Sequence, residues 1–235
     1  MPLHFKVNIT NSEIFVIIPC YNEATVVRNT VTEVVEQGYK VVVVDDCSGD
    51  NSKKQLQGLK LYYLRHRTNM GQGAALQTGI EFAKKKGAKY FVTFDADGQH
   101  DCRDIPVMVE VLQKNRSDIV FGSRFLPGSQ TNISGARSFV LNVARYVNYL
   151  VSGILLSDAY NGLRVFNAKA AGFLKITENK MAHATEIQLL VAKNKLSYSE
   201  FPNNIQYNEY TKRKGLRNID GLKIVFEILL FKIFR

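Results

Sequence analysis

Cysteine is scarce in this chain of 235 residues: Cys20, Cys47 and Cys102 are scattered and odd in number, which excludes a disulfide framework or a zinc site. No run of about 18 apolar residues occurs, so no transmembrane helix is expected. The opening stretch MPLHFKVNITNSE lacks a basic region followed by an apolar core, and no signal peptide is expected from it. Repeats, low-complexity segments and an evident linker are likewise missing. Acidic residues are the minority charge, 21 against 31 Lys and Arg, leaving a net charge of +10. That balance favours anionic partners such as nucleic acid, an acidic membrane surface or phosphorylated small molecules. The aromatics fall mainly in apolar segments and form no basic stacking surface, so nucleic acid is not the expected partner. A cytoplasmic setting, on the inner face of the cell membrane, fits the cysteine usage and the charge.

What is present is an ordinary globular composition, 46% hydrophobic and 22% charged, with a clear alternation in the first half. EIFVIIPC (13–20), KVVVVDD (40–46), LKLYYLRH (59–66) and KYFVTFD (89–95) read as strands, the second being a fully buried run of the parallel-sheet kind. Between them, ATVVRNTVTEVVEQG (24–38) and GAALQTGIEFAKKKG (73–87) carry helical spacing and end on glycine. Further on, DIVFGSRF (118–125) reads as a strand, 136–156 as a helix apolar on several sides, and LRVFNAKAAGFL (163–174) as a strand running into a helix. HATEIQLLVAKNK (183–195) reads as a helix and 196–210 as an edge strand. The fold class is therefore α/β with a mostly parallel central sheet. In such sheets ligands gather beyond the carboxyl ends of the strands, where CYNE, DDCSGD and DADGQHD all lie.

Asp95 and Asp97 stand on one side of an extended backbone. Two close carboxylates repel each other unless a cation sits between them, and Mg²⁺ commonly takes one or two carboxylates with water and substrate phosphates. Gln99 offers a further neutral oxygen. The alternative is that both acids solvate a loop or cap the next helix. Asp46 accepts a nucleobase N–H or a ribose hydroxyl, or else belongs to an Asp/Ser turn with Ser48 and Asp50. Tyr21 offers a ring to a base, with Glu23 beside it. NMGQGAA (69–75) leaves amides at a helix start, which suits an anion, but it is not the dinucleotide fingerprint. His4, His66, His100 and His183 show no metal spacing.

The ordered segments VIIPCYNE, VVVVDDCSGDNS, NMGQGAALQTGI, FVTFDADGQHD, DIVFGSRF and DAYNGLRVF resemble a family 2 glycosyltransferase over about residues 14–215. Within that family they are similar to the dolichyl- and polyprenyl-phosphate sugar transferases. The resemblance implies a Rossmann-like, nucleotide-sugar-binding A-type fold, a single catalytic domain over 1–218, and inverting transfer from a UDP- or GDP-sugar. It implies a polyprenyl-phosphate or glycan acceptor in cell-surface glycan or glycolipid assembly. Pro19, Tyr21, Glu23 and Asp46 would line the base and ribose pocket. Asp95, Asp97 and Gln99 would hold Mg²⁺ or Mn²⁺ on the donor diphosphate. Arg124 would engage the acceptor phosphate with Arg137 and Ser138, and Lys212, Arg213 and Lys214 would close over the donor.

A phosphate acceptor is already anionic near neutral pH, whereas a sugar hydroxyl needs a base. Asp158 is the candidate for that base, or else a structural partner of Arg164, with Glu186 in reserve. A nucleotidyltransferase is the competing enzyme class, but PCYNEATVV is not the basic glycine-rich loop it requires. The segments 136–156 and 219–235 carry more apolar surface than a small domain hides. They suit either a lipid interface or a buried or homo-oligomeric contact.

Overall fold

Ile14–Ile18 are all buried, as a strand sandwiched between two layers of helix must be. The computed structural model describes residues 10–133, 135–179 and 182–205. The side chains of Ala136 and Arg137 lie outside that description, as do Lys212, Arg213, Lys214 and the segment 219–235. In chain order the elements are β1 (Ile14–Cys20), α1 (Val27–Glu36), β2 (Lys40–Asp45), α2 (Ser52–Gln55), β3 (Tyr62–Arg65), α3 (Gln72–Lys85) and β4 (Tyr90–Thr93). They continue as α4 (Asp104–Lys114), β5 (Ile119–Ser123), α5 (Gly135–Ser152), β6 (Arg164–Asn167), α6 (Ala168–Phe173), α7 (His183–Lys193) and β7 (Tyr198–Pro202).

The strands form one sheet in the order β3-β2-β1-β4-β6-β5-β7. All neighbours are parallel except β6, which runs antiparallel to both β4 and β5. Alternate residues of β1 feed two cores. Val16 and Ile18 pack with Val27, Val31 and Val34 of α1 and with Ile105 and Met108 of α4. Phe15 and Ile17 pack with Leu76 and Ile80 of α3 and Ile187 of α7. The β-branched face of α1 is a poor helix former in isolation. Burial of its three valines, spaced four and three apart, is what holds it. Its Thr30 hydroxyl reaches across to the Ala96 carbonyl at 3.1 Å, tying the helix to the loop after β4.

Two features of this topology place the site. The chain lays β2 and β3 on one side of β1 and then crosses to put β4 on the other, so the winding reverses between β1 and β4. The reversed β6 begins at the rim where its neighbours β4 and β5 end, and so the loop before it, 157–163, joins that rim as well.

Helix α3 lies very close to β1. A Cβ on Gly79 would stand 2.3 Å from Ile17 Cγ2 and 3.3 Å from Val44 Cγ2, whereas one on Gly172 of α6 meets nothing within 4 Å. Gly172→Ala should therefore stabilise the protein by up to about 1 kcal/mol through helix propensity. Gly79→Ala should cost about 1–3 kcal/mol by overpacking. Thermal unfolding of the two variants reads the opposite signs directly, and a Gly79→Ala variant as stable as wild type would contradict this packing.

Candidate active site at the sheet switch point

A cleft of about 550 Å³ opens at the switch point, lined by Pro19, Cys20, Tyr21, Glu23, Asp46, Asn69, Gly71, Gln72, Ala75, Asp95, Ala96 and Asp97. Six residues singled out from sequence, Pro19, Tyr21, Glu23, Asp46, Asp95 and Asp97, thus meet in one place. Tyr21 is 46% exposed at its mouth.

The loop after β1 is fastened to the loop after β2 by side chains. Asn22 N donates to Ser48 Oγ at 3.0 Å, and Gly49 N returns a bond to Asn22 Oδ1 at 2.8 Å. Glu23 N donates to Ser52 Oγ at 2.9 Å and Ala24 N to Asp50 Oδ2 at 3.0 Å. Asn22 itself takes a φ of 56°, a left-handed conformation that asparagine tolerates better than most residues. Behind this clasp the fully buried Asp45 accepts from Ser48 N at 2.7 Å, from the Tyr63 hydroxyl, and from Arg65 Nη1 at 3.3 Å. Burial, together with the Asp45 carboxylate, pushes the Tyr63 phenol well above its usual range, so it stays a neutral donor.

Asp46 is turned to the protein. Its Oδ1 accepts from Met70 N at 2.9 Å and pairs with His66 Nδ1 at 2.7 Å, while Oδ2 accepts from Gly71 N at 2.6 Å. The carboxylate expected to read a base or ribose directly is therefore also the anchor of the 69–71 turn. His66 carries the link on, its Nε2 lying 2.9 Å from Thr78 Oγ1 in α3.

Asp95 and Asp97 are held unequally. Asp95 Oδ1 accepts from Gln72 Nε2 at 3.0 Å and Oδ2 lies 3.2 Å from His100 Nε2. Burial alone would raise its pKa, but the His100 bond and the charges of His100, Arg164 and His183 outweigh this and hold it below the ordinary value. Asp97 is pushed up to about 6, first by burial and then by the negative charge of Asp95. A Cβ on Gly162 would sit 1.9 Å from Asp95 Oδ2, so only glycine lets the loop before β6 pass so close to this carboxylate.

Gln99 is not in the cleft. Its Nε2 donates to Asp97 Oδ2 at 2.7 Å and its backbone N to Asp97 Oδ1 at 3.1 Å, and it lines the neighbouring pocket with His100 and Asp101. It steadies Asp97 from behind. Among the described residues no three His, Cys, Asp or Glu side chains gather as a metal centre. The donor set nevertheless fits a hard divalent cation that takes two carboxylates and finds its other oxygens on substrate and water, since a cation offsets both the burial and the Asp95 repulsion that raise Asp97.

The other expected groups lie deeper. Arg124 is buried and forms an ion pair with Asp158, Nε to Oδ2 at 2.5 Å, with a second bond from its backbone N at 3.2 Å. Asp158 is 2% exposed and also receives Arg124 Nη2 at 3.3 Å and Asn161 Nδ2 at 3.3 Å. Asp158, read from sequence as a base or else as a structural partner of Arg164, forms its ion pair with Arg124, while its charge also acts on Arg164. Glu186 is spent on its own loop, accepting from Thr177 N at 2.9 Å, Thr177 Oγ1 at 2.5 Å and Glu178 N at 2.8 Å. Ser138 belongs to α5, where its carbonyl accepts from Asn142 Nδ2 at 3.0 Å, and Arg137 is in the same helix with its side chain outside the described residues.

Arg164, Gln72, Asp45 and His100 are site residues that sequence reasoning did not assign. Arg164 is 3% exposed, and burial lowers its pKa to about 10 against the opposing pull of Asp95 and Asp158. It is a buried counter-charge to Asp95, put there by the register that sets it opposite Thr93.

The raised Asp97 has a consequence for stability. Its carboxyl titrates near 4 in an unfolded chain and about 6 in the fold. Between those values the folded state holds more protons than the unfolded one, so this group's contribution falls as pH rises through the window. Asp97→Asn should therefore stabilise the metal-free protein at pH 8 by about 1–3 kcal/mol, the gain shrinking towards zero near pH 4. Thermal unfolding in a chelator across pH measures it, and a variant less stable than wild type at pH 8 would contradict the repulsion described.

The model of glycosyl transferase family 2 matches residues 15–173. A UDP-N-acetylglucosamine–dolichyl-phosphate N-acetylglucosaminyltransferase of Methanococcus voltae is 30% identical over 241 residues, covering 94% of this chain and 96% of its own length. An uncharacterised protein of Methanocaldococcus jannaschii is 34% identical over 96% of this chain and 95% of its own. Among solved structures, glucosyl-3-phosphoglycerate synthase of Mycobacterium tuberculosis superposes with a TM-score of 0.68 at 12% identity, over 92% of this chain and 77% of that one. The complex of the same synthase with Mn²⁺, UDP and glucosyl-3-phosphoglycerate gives a TM-score of 0.64 at 13% identity, over 92% of this chain and 79% of that one. At such identities the likeness is one of fold. Sheet, switch point and matched motifs agree: this chain belongs to glycosyl transferase family 2 and has the A-type glycosyltransferase fold.

Proposed function

We propose that this chain is an inverting glycosyltransferase that moves a sugar from a nucleotide sugar to a polyprenyl phosphate at a membrane surface, with Mg²⁺ or Mn²⁺ held by Asp95 and Asp97. The observation that carries this reading is the cleft itself, whose lining brings together an exposed tyrosine, the Asp46-anchored turn and two acids. That set suits a base, a ribose and a diphosphate held by a cation. When bound, a divalent cation neutralises the charge that gathers on the leaving diphosphate. In the reaction, an acceptor phosphate oxygen forms a bond to the anomeric carbon from the face opposite the donor. The bond from that carbon to the nucleoside diphosphate breaks, and its electron pair leaves with the diphosphate.

Two observations favour a phosphate acceptor over a sugar hydroxyl. Both carboxylates considered as bases, Asp158 and Glu186, already accept several hydrogen bonds from protein donors. An anionic phosphate oxygen needs no base. The Methanococcus relative, by its name, acts with dolichyl phosphate, which supports the same class. Arg124 then has a supporting part, fixing Asp158 and with it the loop that carries Gly162 past Asp95.

The membrane part of the proposal rests on α5. No helix among the described residues is long and apolar enough to cross a membrane. Helix α5 instead turns Phe139, Val143, Tyr146 and Leu150 outward, residues spaced four, three and four apart and therefore on one face. Its inner side is fixed by the buried Asn148, which donates to Gln188 Oε1, while Gln188 Nε2 donates to the Ala159 carbonyl at 2.9 Å. A helix anchored by amides inside and apolar outside suits a lipid interface.

The test is a panel of UDP- and GDP-sugars with Mn²⁺ or Mg²⁺, offered with vesicles containing either a polyprenyl phosphate or the matching polyprenol. Mass spectrometry should find a glycosyl phospholipid from one donor, only with the phosphate, only with metal, and with the protein floating on the same vesicles. Product from the polyprenol alone would establish a hydroxyl acceptor and overturn the proposal, as would full activity in a chelator.

A further inference from the structure

Gln72 is the glutamine that the cleft contains. It opens α3 and its Nε2 donates to Asp95 Oδ1 at 3.0 Å. Chemistry fixes the orientation of this amide, because an ionised carboxylate only accepts and must therefore face the nitrogen.

The backbone that delivers Gln72 is held on both sides. Before it, Gly71 adopts a φ of 102°, a conformation L side chains rarely take, and its N–H is fixed on Asp46 Oδ2 at 2.6 Å. After it, Gly73 N donates to the Asn179 carbonyl at 2.9 Å, and a Cβ on Gly73 would stand 1.9 Å from the Glu178 carbonyl oxygen. That second loop is itself held by Glu186 through Thr177 N and Glu178 N. Gln72 thus leaves a turn with little freedom and ends on one oxygen of one carboxylate.

From these contacts we infer that Gln72 is a positioning residue, which fixes the Asp95 carboxylate for a divalent cation and so couples the nucleotide end of the cleft to its diphosphate end. The connection runs from Asp46 through the amides of Met70 and Gly71 to the Gln72 side chain and on to Asp95. A hydrogen bond to a charged acceptor carries more energy than a neutral one, and a carboxylate left to rotate has to be ordered again each time a cation binds. The inference rests on the proposal that Asp95 and Asp97 hold a divalent cation.

The test uses the full chain and Mn²⁺ alone, with free Mn²⁺ counted by electron paramagnetic resonance and unfolding midpoints taken with and without the metal. Gln72→Met keeps the length of the side chain and removes the hydrogen bond. It should weaken Mn²⁺ binding by about 10-fold and shrink the Mn²⁺-induced rise in midpoint, measured against the variant's own metal-free midpoint, which the lost hydrogen bond lowers. Gln77→Met is the control: Gln77 lies in the same helix but serves Ile176 N and Glu81, so its loss should leave Mn²⁺ affinity unchanged. Should Gln72→Met fail to fold, Gln72→Ala carries the same comparison. Wild-type affinity in the Gln72 variant, or an equal loss in both variants, would overturn this inference alone. A wild-type chain that binds no Mn²⁺ would overturn it together with the metal reading, so the two failures are distinct.

Discussion

Everything at this rim depends on keeping two like charges close together. Asp95 and Asp97 follow a buried strand, in surroundings that solvate them far less than water does, and the fold meets that cost unequally. Asp95 is given Gln72, His100 and the buried charge of Arg164, and stays ionised. Asp97 is given the Gln99 backbone and side-chain amides and the more distant charge of His100, and its ionisation is still opposed by burial and by Asp95. A protein selected for stability alone would replace one of these acids. Retaining both is the mark of a site in which strain waits for a ligand, and perturbed carboxylates in a cleft are where such sites are found.

The sheet explains why the strain sits there. Reversal of winding between β1 and β4 leaves a gap beyond two adjacent strand ends. Loops from both sides then have to be fastened across it. Side chains do this in each case: Asn22 with Ser48 and Gly49, Asp46 with Met70 and Gly71, Gln72 with Asp95, and Glu186 with Thr177 and Glu178. The reversed β6 adds a further loop from the opposite direction and brings Gly162 against Asp95. These contacts make the rim a preorganised surface rather than a set of loose loops.

How much of this could be read in advance follows from the range of the interactions. Strands and helices were readable because their signals are local: the valines of 41–44, the helical spacing of α1, the glycines that end α1 and α3. The grouping of Asp46, Asp95 and the tyrosine loop was readable because parallel strands present their carboxyl ends to one rim. The pairing of Arg124 with Asp158 was not, since the two lie 34 positions apart and meet only because β6 turns back towards β5. Gln99 and Gln72 could not be told apart by spacing either. Gln99 stands nearer the acids in sequence, yet the turn at Gly98, with a φ of 74°, carries it behind Asp97. Gln72 reaches Asp95 from 23 positions away, along a path set by Asp46 and two glycines.

The same contacts divide the labour of the site. Groups facing the cleft are few, and most of the polar side chains around it hold other side chains in place. The most direct measurement is anomalous scattering from crystals grown with Mn²⁺ and a nucleoside diphosphate. The account predicts one strong manganese peak touching both Asp95 and Asp97, with the diphosphate completing its shell. A diphosphate bound in the cleft with no manganese at those two carboxylates would contradict it.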